Sequence, residues 1–152
     1  MRNNDGMDEI DRAILAELMA DGRISNVELA ARVNLTPAPC LRRVQRLESE
    51  GVIRGYRAVV DPAAMGRSLE VLLEVTLETN DARSVEHFEE TMRDFEEVRE
   101  LRRLYGTPDY FVRVAVADSE SYEAFLSRHV MTIPKIERVT SHFIMKTLKE
   151  LA

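Results

Sequence analysis

The chain has 152 residues, 45% of them hydrophobic, and a formal net charge of −6, which fits one ordinary domain or two small ones. Nowhere do about 18 apolar residues run together, so no membrane-spanning helix is expected, and the polar opening MRNNDGMDEIDR predicts no secretion signal. The single cysteine, Cys40, excludes an internal disulfide framework, the three histidines are too scattered for a metal site, and the expected setting is the cytoplasm.

The charge is not evenly spread. Residues 1–60 hold nine arginines against nine acidic side chains, while Arg32 to Arg57 alone holds six arginines against two glutamates, a local +4. A basic segment in an acidic chain is the pattern of a region that meets phosphate. No lysine occurs in that half, and arginine is the better fork for phosphates and guanine edges.

In chain order, a first helix begins near Asp8, with Ile10, Ile14, Leu15 and Leu18 at helical spacing and Gly22 as a stop. Ser25 and Glu28 have the spacing of a capping box and start a second, short helix. Asn34 suits a tight left-handed turn. Thr36 then caps a third helix, TPAPCLRRVQRLESEG. Pro37 sits at its first position, where a missing N–H costs nothing, and Pro39 is still within the first turn. A wheel centred on Val44 puts Cys40, Leu41, Leu47 and Gly51 inward, with Pro39, Arg42 and Arg46 on the opposite face and Ala38 and Arg43 on the flanks. Short helix, tight turn and arginine-bearing third helix are the grammar of a helix-turn-helix that enters a major groove. Arg42 and Arg46 are expected to read base edges, Ala38 and Pro39 to meet thymine methyls, and Thr36 to complete the DNA-facing set. Arg43, Arg54 and Arg57 are expected on phosphates. Arg54 and Arg57 lie in VIRGYRAVVDP (52–62), which alternates as a strand and whose charges would look the same if merely solvated.

The second half reads strand (69–78), helix (84–98), two strands joined at Gly106-Thr107-Pro108-Asp109, a helix from Ser119 ended by Pro134, and a last strand over 137–151. That order predicts a ferredoxin-like βαββαβ arrangement, with both helices on one face of an antiparallel sheet. The other face would keep apolar residues, inviting a second copy. Gly106 and Pro108 are either plain turn residues or part of a site in which Gly106 admits a ligand to the backbone and Asp109 attracts an ammonium. No nucleophile-base grouping or phosphate loop occurs, so no enzyme and no cofactor are expected.

These motifs together resemble the Lrp/AsnC family of leucine-responsive, "feast/famine" transcription regulators. The likeness runs essentially the full length and is carried by D-x-x-D-x-x-I-L from Asp8, T-P-x-P-C-x-x-R-V from Thr36, the EGVIRGY exit, YGTPDYFVRVAVAD and ERVTSHFIMKTLKE. The resemblance implies an α+β protein divided into a helix-turn-helix, winged-helix-like domain (1–53), a linking strand or hinge (54–66) and an amino-acid-sensing, oligomerising domain (67–152). It implies double-stranded DNA and a small amino acid as partners, with dimers that assemble toward octamers. The implied effector site is Gly106, Thr107, Pro108, Asp109 and Tyr110, then Val139, Thr140 and Ser141. The G-x-P-D-Y-F loop favours leucine, another branched-chain residue or methionine. Ile133-Pro134-Lys135 stands where the family commonly has L-P-G, and no contact is carried to Lys135. Two other classes fit less well: a constitutive architectural DNA-binding protein, and an amino-acid-binding regulatory subunit of a metabolic enzyme.

Overall fold

The computed structural model describes residues 6–148; the far end of the last predicted strand and the two outer domain limits lie outside them. The chain divides into two compact units after Val59.

The first unit holds α1 (Glu9–Ala20), α2 (Asn26–Arg32) and α3 (Pro37–Ser49). α1 opens on a full capping box: the Asp8 side chain accepts from Asp11 N at 2.8 Å, and the Asp11 carboxylate accepts from Asp8 N at 3.3 Å. The box expected at Ser25–Glu28 is only half formed. Ser25 Oγ accepts from Glu28 N at 3.2 Å, but the Glu28 carboxylate turns outward to Arg32, 2.7 Å away and one turn on. Asn34 takes the left-handed conformation, φ 56°, that the turn into α3 requires. Thr36 stands at the N-cap of α3 but its side chain makes no capping bond. The prolines explain why: Pro37 and Pro39 have no N–H, so the first turn leaves few donors to satisfy.

The apolar stripe of α3 is rotated from the wheel drawn above. Cys40 and Leu47 are fully buried against Ile14, Leu29, Ala30 and Val33, whereas Val44 is half-buried and Leu41 is 44% exposed. At about 100° per residue the stripe is centred on Cys40 and Leu47, about 50° away from Val44. That rotation carries Arg43 to about 50° from the buried centre and Arg46 to about 110°, while Arg42 stays about 150° away. Burial raises the Cys40 thiol pKa, in keeping with a core residue.

Residues 52–60 form no strand. The alternation is real, but a strand needs a hydrogen-bonded neighbour. Here Val52 N and Ile53 N instead donate to Leu47 O, at 2.9 and 3.0 Å, and close the end of α3.

The second unit contains β1 (Leu69–Leu77), α4 (Ala82–Arg93), β2 (Val98–Arg103), β3 (Tyr110–Val116), α5 (Ser119–Arg128) and β4 (Ile136–Phe143), in an antiparallel sheet ordered β2-β3-β1-β4. Asp81 and Asp118 cap α4 and α5, accepting from Ser84 N and Ser121 N at 3.0 and 2.8 Å. Alternation along β1 buries Val71, Leu73, Val75 and Leu77 against Val85, Phe88 and Met92 of α4 and Tyr122 and Phe125 of α5. The last strand stops at Phe143, and 144–148, expected to continue it, are irregular.

The opposite sheet face keeps apolar residues, as expected, but sets them among charged ones. Leu72 and Phe111 are half-buried among Glu70, Glu74, Glu100, Arg102, Arg113 and His142. Arg113 pairs with Glu100 at 2.8 Å and Glu70 at 3.7 Å, and His142 Nε2 lies 3.3 Å from Glu74. Alternation assigned those positions to this face, but only strand register made acids and bases neighbours across it.

Candidate functional site

The first candidate surface is built on α3. Ala38 and Arg42 are exposed and Pro39 is half-buried. Among the described residues no carboxylate lies within ion-pair distance of Arg42. Asn26 Nδ2 donates to Pro37 O at 2.8 Å and ties the start of α2 to the first turn of α3.

Arg43 and Arg46 are engaged elsewhere. Arg43 Nη1 donates to Asp8 Oδ2 at 2.7 Å and to Asp11 Oδ1 at 2.8 Å, and Arg46 Nη2 donates to Asp11 Oδ2. The Asp11 side chain is 1% exposed. Asp8 has its pKa lowered, first by the Asp11 amide and then by the Arg43 guanidinium, while Arg43 is raised by both carboxylates. Arg32 is likewise held by Glu17 and Glu28 at 2.8 and 2.7 Å. The +4 counted over Arg32–Arg57 therefore overstates the free positive charge, because Asp8, Asp11, Glu17 and Glu28 pair with these arginines from outside that window. Arg54 and Arg57 are exposed in the irregular segment that follows α3.

The second candidate site lies at one end of the sheet. A shallow recess of about 350 Å³ is lined by Asn80, Arg103, Leu104, Tyr105, Gly106, Thr107 and Asp109. The Thr107–Pro108 bond is cis. Gly106 has φ 136°, and a Cβ there would meet no atom within 4 Å, so the loop backbone is open on that side. The Asp109 carboxylate is already engaged: Oδ2 accepts from Leu77 N at 2.8 Å and Oδ1 from Asn80 Nδ2 at 3.0 Å. The other ionisable group that lines the recess is the half-exposed Arg103 guanidinium, whose Nη1 lies 3.7 Å from Glu89 Oε1.

Tyr110 does not line the recess. It is fully buried against Phe88, ring centroids 4.6 Å apart, and its hydroxyl donates to Glu89 Oε1 at 2.9 Å. Burial first, and then the Glu89 carboxylate, push its phenol well above the ordinary value. Pro108 is not among the lining residues either.

Val139, Thr140 and Ser141 are divided by strand alternation. Val139 packs against the core, and the Ser141 hydroxyl shares a 2.5 Å hydrogen bond with Tyr122 on the helix side. Thr140 lies opposite Glu74, on the other face. Register places Val139 and Tyr110 on either side of Val75, so the loop and the start of β4 share an end of the sheet, but none of the three lines the recess of a single chain. Asn80 and Arg103 were not anticipated. Nothing in their local sequence marks them; they join the recess because the ends of β1 and β2 meet the β2–β3 loop.

Among the described residues no helix is long and apolar enough to cross a membrane. The Lrp/AsnC ligand binding domain matches residues 70–152, and the winged helix-turn-helix DNA-binding domain matches residues 7–54. The leucine-responsive regulatory protein of Klebsiella pneumoniae is 39% identical over 144 residues, which is 95% of this chain and 88% of that protein. A transcriptional regulator of Neisseria meningitidis, solved as a complex with L-Met, superposes with a TM-score of 0.90 at 30% identity, covering 95% of this chain and 94% of the other. An AsnC family transcriptional regulator of Agrobacterium tumefaciens gives a TM-score of 0.88 at 35% identity, with coverage of 95% and 94%. Matched across both units and nearly end to end, the chain belongs to the Lrp/AsnC family of DNA-binding transcription regulators.

Proposed function

We propose that this chain is a homo-oligomeric, sequence-specific transcription regulator of the cytoplasm whose assembly and DNA binding respond to a small amino acid. The observation that carries this is the recess that sets Arg103 against Asp109 in the ligand-binding half of a chain whose other half is a helix-turn-helix. A free amino acid presents a carboxylate and an ammonium a few bonds apart, and a recess with one cation and one anion suits both. The exposed Tyr105 and the open backbone at Gly106 leave room for a side chain. Leucine and methionine are the preferred effectors, since the Klebsiella relative is named leucine-responsive and the Neisseria neighbour was solved with L-Met.

Residues 1–53 would act as the DNA-binding part, 54–66 as the link and 67–152 as the sensing and assembling part. Arg42, with Ala38, Pro39 and Thr36 around it, would face base edges, and Arg54 and Arg57 would meet phosphates. Two such units in a dimer suit an approximately palindromic operator with half-sites about 34 Å apart. The charged sheet face favours a two-fold pairing, in which each acid on one copy can meet a base on the other. Val139 and Thr140 would reach the effector where a second copy extends the recess. An effector can shift this system only by binding one assembly better than another.

The test is fluorescence anisotropy on the DNA upstream of the chain's own gene, beside a scrambled duplex, at one salt concentration with and without each amino acid. Preference for the upstream duplex that leucine or methionine shifts is the expected result. Specific binding that no amino acid alters refutes the sensing part, and no binding to either duplex refutes the DNA-binding part.

A further inference from the structure

We infer that Asp11 is a positioning residue that sets the specificity of DNA binding, by latching Arg43 and Arg46 of α3 onto α1 and keeping them off the phosphates. The inference rests on the DNA-binding reading above and concerns which arginines remain available for it.

Among the described residues of the first unit, Asp11 is the buried charged one, with 0% of its surface exposed. An isolated carboxylate there would be prohibitively costly, so its partners are obligatory. Both come from α3, at sequence separations of 32 and 35 residues. Each of its oxygens takes one guanidinium, and Asp8 N adds a hydrogen bond to Oδ2. Arg46 Nε is buried without a hydrogen-bond partner, and the nearest further carboxylate, Glu50, is 3.9 Å away. That side chain therefore lies along the protein surface and does not project from it.

Charge makes the same point. Around the latch stand Asp8, Asp11 and Glu50 against Arg43 and Arg46, so this flank of α3 is not positive. Free arginines beside a recognition helix would bind any duplex, because phosphate contacts carry no sequence information and dominate non-specific affinity. Holding two of them down lowers the background against which Arg42 reads bases.

Asp11→Asn keeps the side-chain volume and one acceptor oxygen but removes the charge that the two guanidiniums share, leaving Asp8 as the remaining carboxylate on Arg43. In the full-length protein, affinities for the upstream and scrambled duplexes are measured from low to moderate salt. With Asp11→Asn, binding to scrambled DNA should tighten at low salt. The slope of log affinity against log salt should steepen by about 1 to 2, since each new phosphate contact adds about 0.9. The ratio of upstream to scrambled affinity should fall. Arg43→Gln leaves Arg46 on Asp11 and should leave the parent's slope unchanged. A purely structural role for Asp11 would alter melting temperature but not the salt slope. An unchanged slope in folded Asp11→Asn overturns the inference, as does a slope that falls by about 1 in Arg43→Gln, which would put Arg43 on phosphate already. If Asp11→Asn does not fold, Arg43→Gln decides alone. A parent protein that binds neither duplex removes the underlying DNA-binding reading, and this inference with it.

Discussion

Replacing Tyr110 with phenylalanine separates two roles for one residue. The family resemblance counts Tyr110 among the expected effector-site residues, yet it is fully buried and donates its hydroxyl to Glu89 at 2.9 Å. Phenylalanine keeps the ring packed on Phe88 and removes only that bond. A hydrogen bond to a charged group contributes about 1.5–3 kcal/mol net. The Glu89 side chain is 28% exposed, so water can replace the lost donor, and the expected cost is at the lower end, about 1.5 kcal/mol. Urea denaturation followed by circular dichroism reads that loss as a shift in midpoint at constant slope. The pH dependence follows from the raised phenol. A folded-state value above the unfolded one gives stability that is complete below the unfolded value of 10.0 and lost as pH rises beyond it. The parent's advantage over the variant should therefore hold near neutrality and shrink above pH 10. Calorimetry with leucine or methionine should give the same affinity for both proteins. Loss of effector binding without loss of stability would refute the core assignment and return the hydroxyl to the effector site.

Three further outcomes are expected. Arg42→Ala should weaken binding to the upstream duplex by about 1–3 kcal/mol and to scrambled DNA by less; an equal loss on both duplexes would move Arg42 to phosphate. Lys135 holds φ 68° where glycine is at ease, so Lys135→Gly should stay within about 1 kcal/mol of the parent, relief of strain offsetting lost chain stiffness. Lys135→Val should destabilise by about 1–3 kcal/mol, and equal melts for the two would sink that account. Asp81 is held below the ordinary carboxylate range, first by the Thr79 hydroxyl, then by the Ser84 hydroxyl and amide. A depressed folded value gives stability that is present above the unfolded 3.8 and lost as pH falls below it. Asp81→Asn, which still caps but cannot titrate, should therefore lose less stability than the parent between pH 4 and pH 2, as read by acid titration of ellipticity.

Much of the fold was legible in the chain itself, because its signals are local. Period-two alternation marked β1, helical spacing marked α4 and α5, Asn34 marked the turn, and Thr36-Pro37 marked the start of α3. Those elements in that order already implied a helix-turn-helix followed by a βαββαβ sheet. What sequence could not carry was anything dependent on a partner far along the chain. Alternation over 52–62 looked like a strand, but among the described residues no neighbour pairs with it. Counting arginines near α3 suggested a basic face, yet Asp8 and Asp11 cancel part of it from more than 30 residues away. Nor did the local sequence show that the Asp109 carboxylate would accept from Leu77 N and Asn80 Nδ2, 32 and 29 residues away. Alternation put glutamates on the outer sheet face, but only register set Glu100 and Glu70 beside Arg113. Caps, turns and periodicity are settled within one or two turns of chain. Which charges are free, and which hydroxyls are buried, is settled only when distant segments pack, since packing decides who neutralises whom.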